Sequence, residues 1–153
     1  MSLWESAEGF DLLGQHSLLH GRRCKLWHDP ESGGLLLGYY DPRSSSIYVF
    51  EDHDEARGFA GWLEAELASG PEDLDESIEG IVPVAGHRLS EDRDCELAYW
   101  PATGGIYLSC GRSARPAKVS SRLAGVCFFF KDVDEARGFA RWLKALLAAG
   151  TVV

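Results

Sequence analysis

The side chains in this chain best suited to recognition chemistry are a set of aromatics, a cluster of cations and a run of carboxylates. Trp27, Tyr40, Trp100 and Tyr107 have flat faces that can stack on nucleobases or pack on a partner protein. Arg112, Arg115 and Lys118, with Arg122, lie in a Gly-, Ser- and Pro-containing stretch over 111–122 that holds no acid, which makes it an anion-seeking loop. Glu64 and Glu66 offer carboxylates to a basic partner. His16 and His20 are four residues apart, but in a run that reads as extended, so a shared metal ion is not expected. His28 leads into the turn Asp29-Pro30, and His53 falls in the first turn of a helix. The chain has no GxSxG elbow, no GxxxxGK[ST] loop, no HExxH and no GxGxxG. The expectation is therefore no catalytic residue, no metal and no cofactor, with an enzyme built on His28 or His53 as the outlying reading.

The elements that must position these groups come in two copies. Residues 51–70 and 131–150 are identical at 14 of 20 positions, at an offset of 80. Upstream the match continues at an offset of 71, pairing His16 with His87, Cys24 with Cys95, and Gly33-Gly34 with Gly104-Gly105. The difference in offset places nine extra residues in the second copy, between Gly111 and Gly125. The chain divides into a lead-in over 1–5, a first unit over 6–70, an acidic linker over 71–76, a second unit over 77–150 and a tail over 151–153. The two units are expected to form one compact body.

Each unit ends in a helix. Asp52 and Asp132 stand at the N-cap with Glu55 and Glu135 three residues on, the spacing of a capping box. Ala56, Phe59, Ala60, Leu63 and Leu67, and their counterparts from Ala136 to Leu147, form an apolar stripe of helical period. Gly70 and Gly150 suit the left-handed position that ends a helix. Ahead of each helix lie four strand-like runs, about 10–19, 22–28, 34–40 and 46–51, then 81–90, 93–100, 104–111 and 124–131. The order is ββββα twice. The expected fold is α+β: two antiparallel sheets, each with one C-terminal helix, in a pseudo-two-fold arrangement.

Centring the hairpins on their turns sets the register. Cys24 then faces Tyr39 and Leu26 faces Leu37; in the second unit Cys95 faces Cys110 and Leu97 faces Leu108. These faces are apolar and should meet the helices. The opposite faces carry Lys25, Trp27, Leu36 and Tyr40, and Glu96, Ala98, Trp100 and Tyr107. One helix covers one face, so the aromatic faces are expected either to meet between the two copies or to form a binding surface. Gly58 and Gly138, recurring inside both helices, point to a close approach there.

Formal charge is −9, but residues 51–80 alone carry −10, while 15–50 and 81–130 are slightly basic. The four cysteines form no CxxC pair, and no stretch has the roughly 20 apolar residues of a membrane span. The N-terminus lacks a basic and an apolar region of the kind found in signal peptides. Free thiols in the cytoplasm, and no membrane partner, are expected. The tandem ββββα order resembles that of PUR repeats and Whirly proteins. The resemblance covers most of the chain in element order, with no motif carried over residue by residue. It implies single-stranded nucleic acid bound across sheet surfaces, with Trp27, Tyr40, Trp100 and Tyr107 stacking and Arg112, Arg115 and Lys118 on phosphates. The charge balance points elsewhere. The primary expectation is a non-enzymatic protein-interaction module of adaptor, inhibitor or immunity type, working through Glu64, Glu66 and the acidic helix and linker; single-stranded nucleic-acid binding is the alternative. The chain is expected to be a monomer with internal pseudo-symmetry or a homodimer.

Overall fold

The computed structural model describes residues 9–42, 45–70, 77, 79–90, 93–112 and 126–149. Strands β1 (Asp11–Ser17), β2 (Arg23–His28), β3 (Leu35–Tyr40) and β4 (Ser45–Phe50) form one antiparallel sheet in sequence order, followed by helix α1 (His53–Ala68). Strands β5 (Val82–Ser90), β6 (Arg93–Trp100), β7 (Gly105–Arg112) and β8 (Val126–Phe130) form the second sheet, followed by α2 (Val133–Ala149). The protein is thus a duplicated ββββα fold of the α+β class. The acidic linker, the nine-residue excess and Gly150 lie outside the described residues.

Local chemistry accounts for the element boundaries. The Asp52 carboxylate accepts from the Glu55 N–H at 2.9 Å, and Asp132 from Glu135 at 2.9 Å. The glutamates reach back one residue beyond the cap: Glu55 accepts from the Glu51 N–H and Glu135 from the Lys131 N–H. Gly70 has φ +84, the left-handed conformation that stops α1. In the first hairpin turn the Asp29 carboxylate accepts from the Glu31 N–H and the Ser32 hydroxyl, and Gly33 follows at φ +80. Both central hairpins have the expected register, with Cys24 opposite Tyr39 and Cys95 opposite Cys110. The duplication extends to irregularities: β1 is bulged between Leu12 and Gly14, and β5 between Pro83 and Ala85, at the same offset of 71.

The inner faces of both sheets and the apolar stripes of both helices close on one continuous interior. Phe50, Phe59 and Leu63 from the first unit and Phe128, Phe130, Phe139 and Leu143 from the second are fully buried within it. The helices run antiparallel, for Arg137 at the start of α2 donates to the Leu67 carbonyl near the end of α1, and Lys144 pairs with Glu64 at 2.7 Å. Each helix also reaches the other unit's first strand. Trp142 stacks on His16 of β1 with ring centroids 5.4 Å apart, and Trp62 on His87 of β5 at 5.2 Å. A Cβ placed on Gly138 would stand 4.0 Å from His16 Nε2, and one on Gly58 4.0 Å from His87 Nε2. The recurring glycines therefore sit beneath the cross-unit histidines, with room for a methyl.

One expectation is corrected. The aromatic outer faces do not meet between the copies. The copies meet through helices and inner faces, where the helix stripes are buried together with Leu35, Leu37 and Tyr39 of β3. Trp27, Leu36 and Tyr40 instead form a separate small cluster on the outer side of the first sheet, joined by Phe10 and Ile47.

A polar bridge closes the junction. The Arg22 guanidinium donates to the Glu135 carboxylate at 2.8 Å, to the Phe129 carbonyl at 2.7 Å and to the Leu19 carbonyl at 3.0 Å. Glu135 also accepts from the Leu19 N–H at 2.8 Å. A turn with His20 at φ 62 and Gly21 at φ 76 aims these groups. Both charged side chains are only 8% exposed, so removing one leaves the other desolvated. Arg22→Ala is expected to lower unfolding free energy by about 3 kcal/mol, whereas Arg57→Ala, which breaks the exposed pair with Asp54, costs under about 1 kcal/mol. Urea titrations of the two variants check this. Residues 1–70 and 71–153 expressed separately should each fail to fold as monomers, which circular dichroism will read directly.

Candidate functional site

The structure divides six of the nine sequence-chosen residues into three pairs. Trp27 and Tyr40 are on the outer face of the first sheet but only 3% and 2% exposed. Their rings meet edge to face at 6.1 Å. Lys25 stands over both rings and Arg23 over Tyr40, at 5.5–5.8 Å. The Tyr40 ring folds back over Gly38, where an added Cβ would meet its hydroxyl at 2.6 Å. Base stacking on this pair would first have to uncover it.

Trp100 and Tyr107 are half-exposed on the outer face of the second sheet, with ring centroids 6.2 Å apart. Phe129 of β8 continues the row, 4.9 Å from Tyr107. The sequence reading missed Phe129 because its run was registered only as a strand; pairing with Tyr107 places it on the outer face. Gly105 lets its ring close in, for a Cβ there would lie 3.0 Å from it. The result is a three-ring ladder across β6, β7 and β8. Asp94 and Glu96 share this face, and Arg88 of β5 pairs with Asp94 at 3.6 Å. Of the expected cations, Arg115 and Lys118 lie outside the described residues, as does the Arg112 side chain.

Glu64 and Glu66 are both half-buried on α1. Glu64 is neutralised across the helix pair by Lys144 and borders a groove of about 190 Å³ that also holds Leu67, Ala68, Arg137, Ala140 and Arg141. Part of the acid on α1 is thus balanced by bases on α2. The exposed carboxylates Glu51, Asp52 and Asp54 are at the other end of α1.

The remaining reactive groups lie away from the aromatic ladder. His28 and His53 come together, with ring centroids 5.9 Å apart, and His28 Nδ1 lies 3.7 Å from the Asp11 carboxylate. Cys95 and Cys110 face each other across β6 and β7 with sulfurs 2.9 Å apart, both 2% exposed and not joined in a disulfide. Cys24 is fully buried, and burial pushes its thiol pKa up. Among the described residues no three His, Cys, Asp or Glu side chains gather in a metal-binding group, and no helix is long and apolar enough to cross a membrane. No protein-family model matches the chain, and no curated protein matches its sequence.

The titratable groups at the unit junction respond to acid in one direction. Burial lowers the pKa of His16 and of His87 below the ordinary 6.5, with Glu135 and Glu55 pulling the opposite way. His53 is lowered as well, by burial and then by Arg57. Burial alone would raise Glu135, but the N–H groups of Lys131 and Leu19 and the Arg22 guanidinium outweigh it and hold the carboxyl below its ordinary 4.5. For each of these groups the unfolded chain takes up the proton first. Their stabilising contribution is complete above about pH 7 and is lost as pH falls, the histidine part below about 6.5 and the Glu135 part below about 4.5. Urea midpoints measured from pH 8 to 4 should follow this course. His16→Gln with His87→Gln should flatten the limb between about pH 6.5 and 5.

Proposed function

We propose that the protein is a non-enzymatic protein-interaction module, and that its contact surface is the outer face of the second sheet. The observation that carries this reading is the Trp100–Tyr107–Phe129 ladder. Three aromatic rings lie in a half-exposed row on a sheet whose other face is fully packed. Aromatic residues of this kind are enriched at the centres of protein contacts, where they bury large area at small entropic cost. A rigid β platform fixes the row in advance, which lowers the ordering cost of association.

The neighbouring charges favour a protein over a polyanion. Glu96 shares the face with the ladder and Asp94 there is paired with Arg88, so these three side chains together carry a net negative charge that opposes a phosphate backbone. On the first sheet, where Arg23 and Lys25 would suit phosphates, the aromatics Trp27 and Tyr40 are already covered.

A photoreactive phenylalanine in place of Tyr107 tests the reading in native lysate. Crosslinking to protein, abolished by Trp100→Ala, is the expected result. Crosslinking to nucleic acid, together with a poly-dT complex that persists at physiological ionic strength and weakens with Trp100→Ala, would replace this reading with the single-strand one.

A further inference from the structure

We infer that the partner for this surface is a second copy of the same chain, docked head to tail with the outer face of its first sheet on the outer face of the second. The inference rests on the reading of the Trp100–Tyr107–Phe129 face as a contact surface and names what covers it.

The duplication supplies the argument. At the offset of 71, Arg23 is the counterpart of Asp94 and Lys25 is the counterpart of Glu96. All four alternate with buried inward residues, Cys24 and Leu26 in β2 and Cys95 and Leu97 in β6, so all four lie on outer faces. The two units have thus kept their backbone register and apolar interior while reversing charge at two matched outward positions. Two copies of the first face would oppose Arg23 and Lys25 to the same cations, while on the second face Arg88 already pairs with Asp94, so that Glu96 carries the charge match. The first face against the second brings Arg23 and Lys25 within reach of Asp94 and Glu96.

The apolar groups match as well. Leu12 of β1 and Val49 of β4 are 54% and 50% exposed, and both lie on the outer side of the first sheet, opposite Trp27 and Leu36 in register. They offer aliphatic contact to the half-exposed ladder of the second sheet. Single exposed aliphatics are common on protein surfaces; here two flank a basic pair on one face, and the aromatic row flanks Glu96 and the Arg88–Asp94 pair on the other.

The symmetry follows from the fold. Both outer faces point away from the shared interior, so a contact between unlike faces leaves one of each unused. Such a heterologous contact propagates into a ring or an open chain. Its size sets its strength. Four strands about 4.8 Å apart and about six residues long at roughly 3.3 Å rise cover about 400 Å², half of the roughly 800 Å² per partner of a standard stable interface. The association is therefore reversible, dependent on concentration and weakened by salt.

Sedimentation of the full-length chain over a concentration series tests it. Average mass should rise with concentration and fall back with added salt. Lys25→Glu alone and Glu96→Lys alone should each weaken association by about tenfold or more. An equimolar mixture of the two should restore it, because each reversed face then meets a complementary one. If Lys25→Glu does not fold, Leu12→Glu takes its place, putting the same charge on the first face at a position already half in solvent. A wild-type chain that stays monomeric up to about millimolar concentration, or association that survives Glu96→Lys, or variants that the mixture does not rescue, would each overturn the inference. The photoreactive group at Tyr107 separates the two levels: capture of another copy supports both, capture of a different protein keeps the contact surface and removes self-association, and capture of nucleic acid removes both.

Discussion

A four-stranded sheet with one apolar face needs a cover, and a single helix of 16 or 17 residues supplies only a stripe. Neither ββββα unit can close its own interior. The two helices solve this together: they lie antiparallel, each presenting its stripe to the shared interior and its edge to the first strand of the other unit. Phe59 and Phe139 hold equivalent places in one core, and the His16–Trp142 and His87–Trp62 stacks repeat the same cross-unit contact. The Arg22–Glu135 bridge is the polar counterpart. It satisfies the carbonyls of Leu19 and Phe129 in a place where water has little access, so an unpaired charge there would be costly.

Glu135 shows how one side chain serves several levels of the structure. It takes the capping-box position at the start of α2, accepts from the Lys131 and Leu19 N–H groups, and holds Arg22 from the other unit. Helix initiation and unit docking are therefore linked through one carboxylate. Asp29 has a narrower role: hydrogen bonds from Glu31 and Ser32 hold its pKa below the ordinary carboxylate value and fix a hairpin turn, with no part in the junction.

Because the helices are committed to the interior, the outer sheet faces are where the two units can differ. The first outer face has closed over itself, with Phe10 and Ile47 packed around Trp27, Leu36 and Tyr40 and the Arg23 and Lys25 side chains laid over the rings. In the second, Ala98 stands where the first has Trp27, and the aromatic weight moves to Trp100, Tyr107 and Phe129. The smaller side chain cannot anchor a matching cluster, and the ladder is left half in solvent. Duplication thus kept an apolar inward face in both sheets, with exchanges such as Cys110 for Tyr39, and let the charged and aromatic outward positions diverge.

The sequence by itself determined the duplication, the element order with strand ends to within about two residues, both helix starts and the register of the central hairpins. These depend on interactions between residues close along the chain: the Asp52–Glu55 and Asp132–Glu135 caps, the Gly33 and Gly104 turns, and the period-2 alternation that the inner face imposes. Cys95 opposite Cys110 was legible for that reason. Which apolar surfaces meet across the units was not, since Trp27 and Phe59 are equally apolar in sequence and only three-dimensional area and shape decide which of them faces the other copy. The exposure of the four chosen aromatics was likewise decided by tertiary packing, which buried Trp27 and Tyr40 and left Trp100 and Tyr107 accessible. Phe129 joined them only through the pairing of β7 with β8, and Arg22 found Glu135 across 113 residues. No local pattern records such a contact, because it depends on two opposite charges that only the folded chain brings within hydrogen-bond reach, their attraction offsetting the cost of burial.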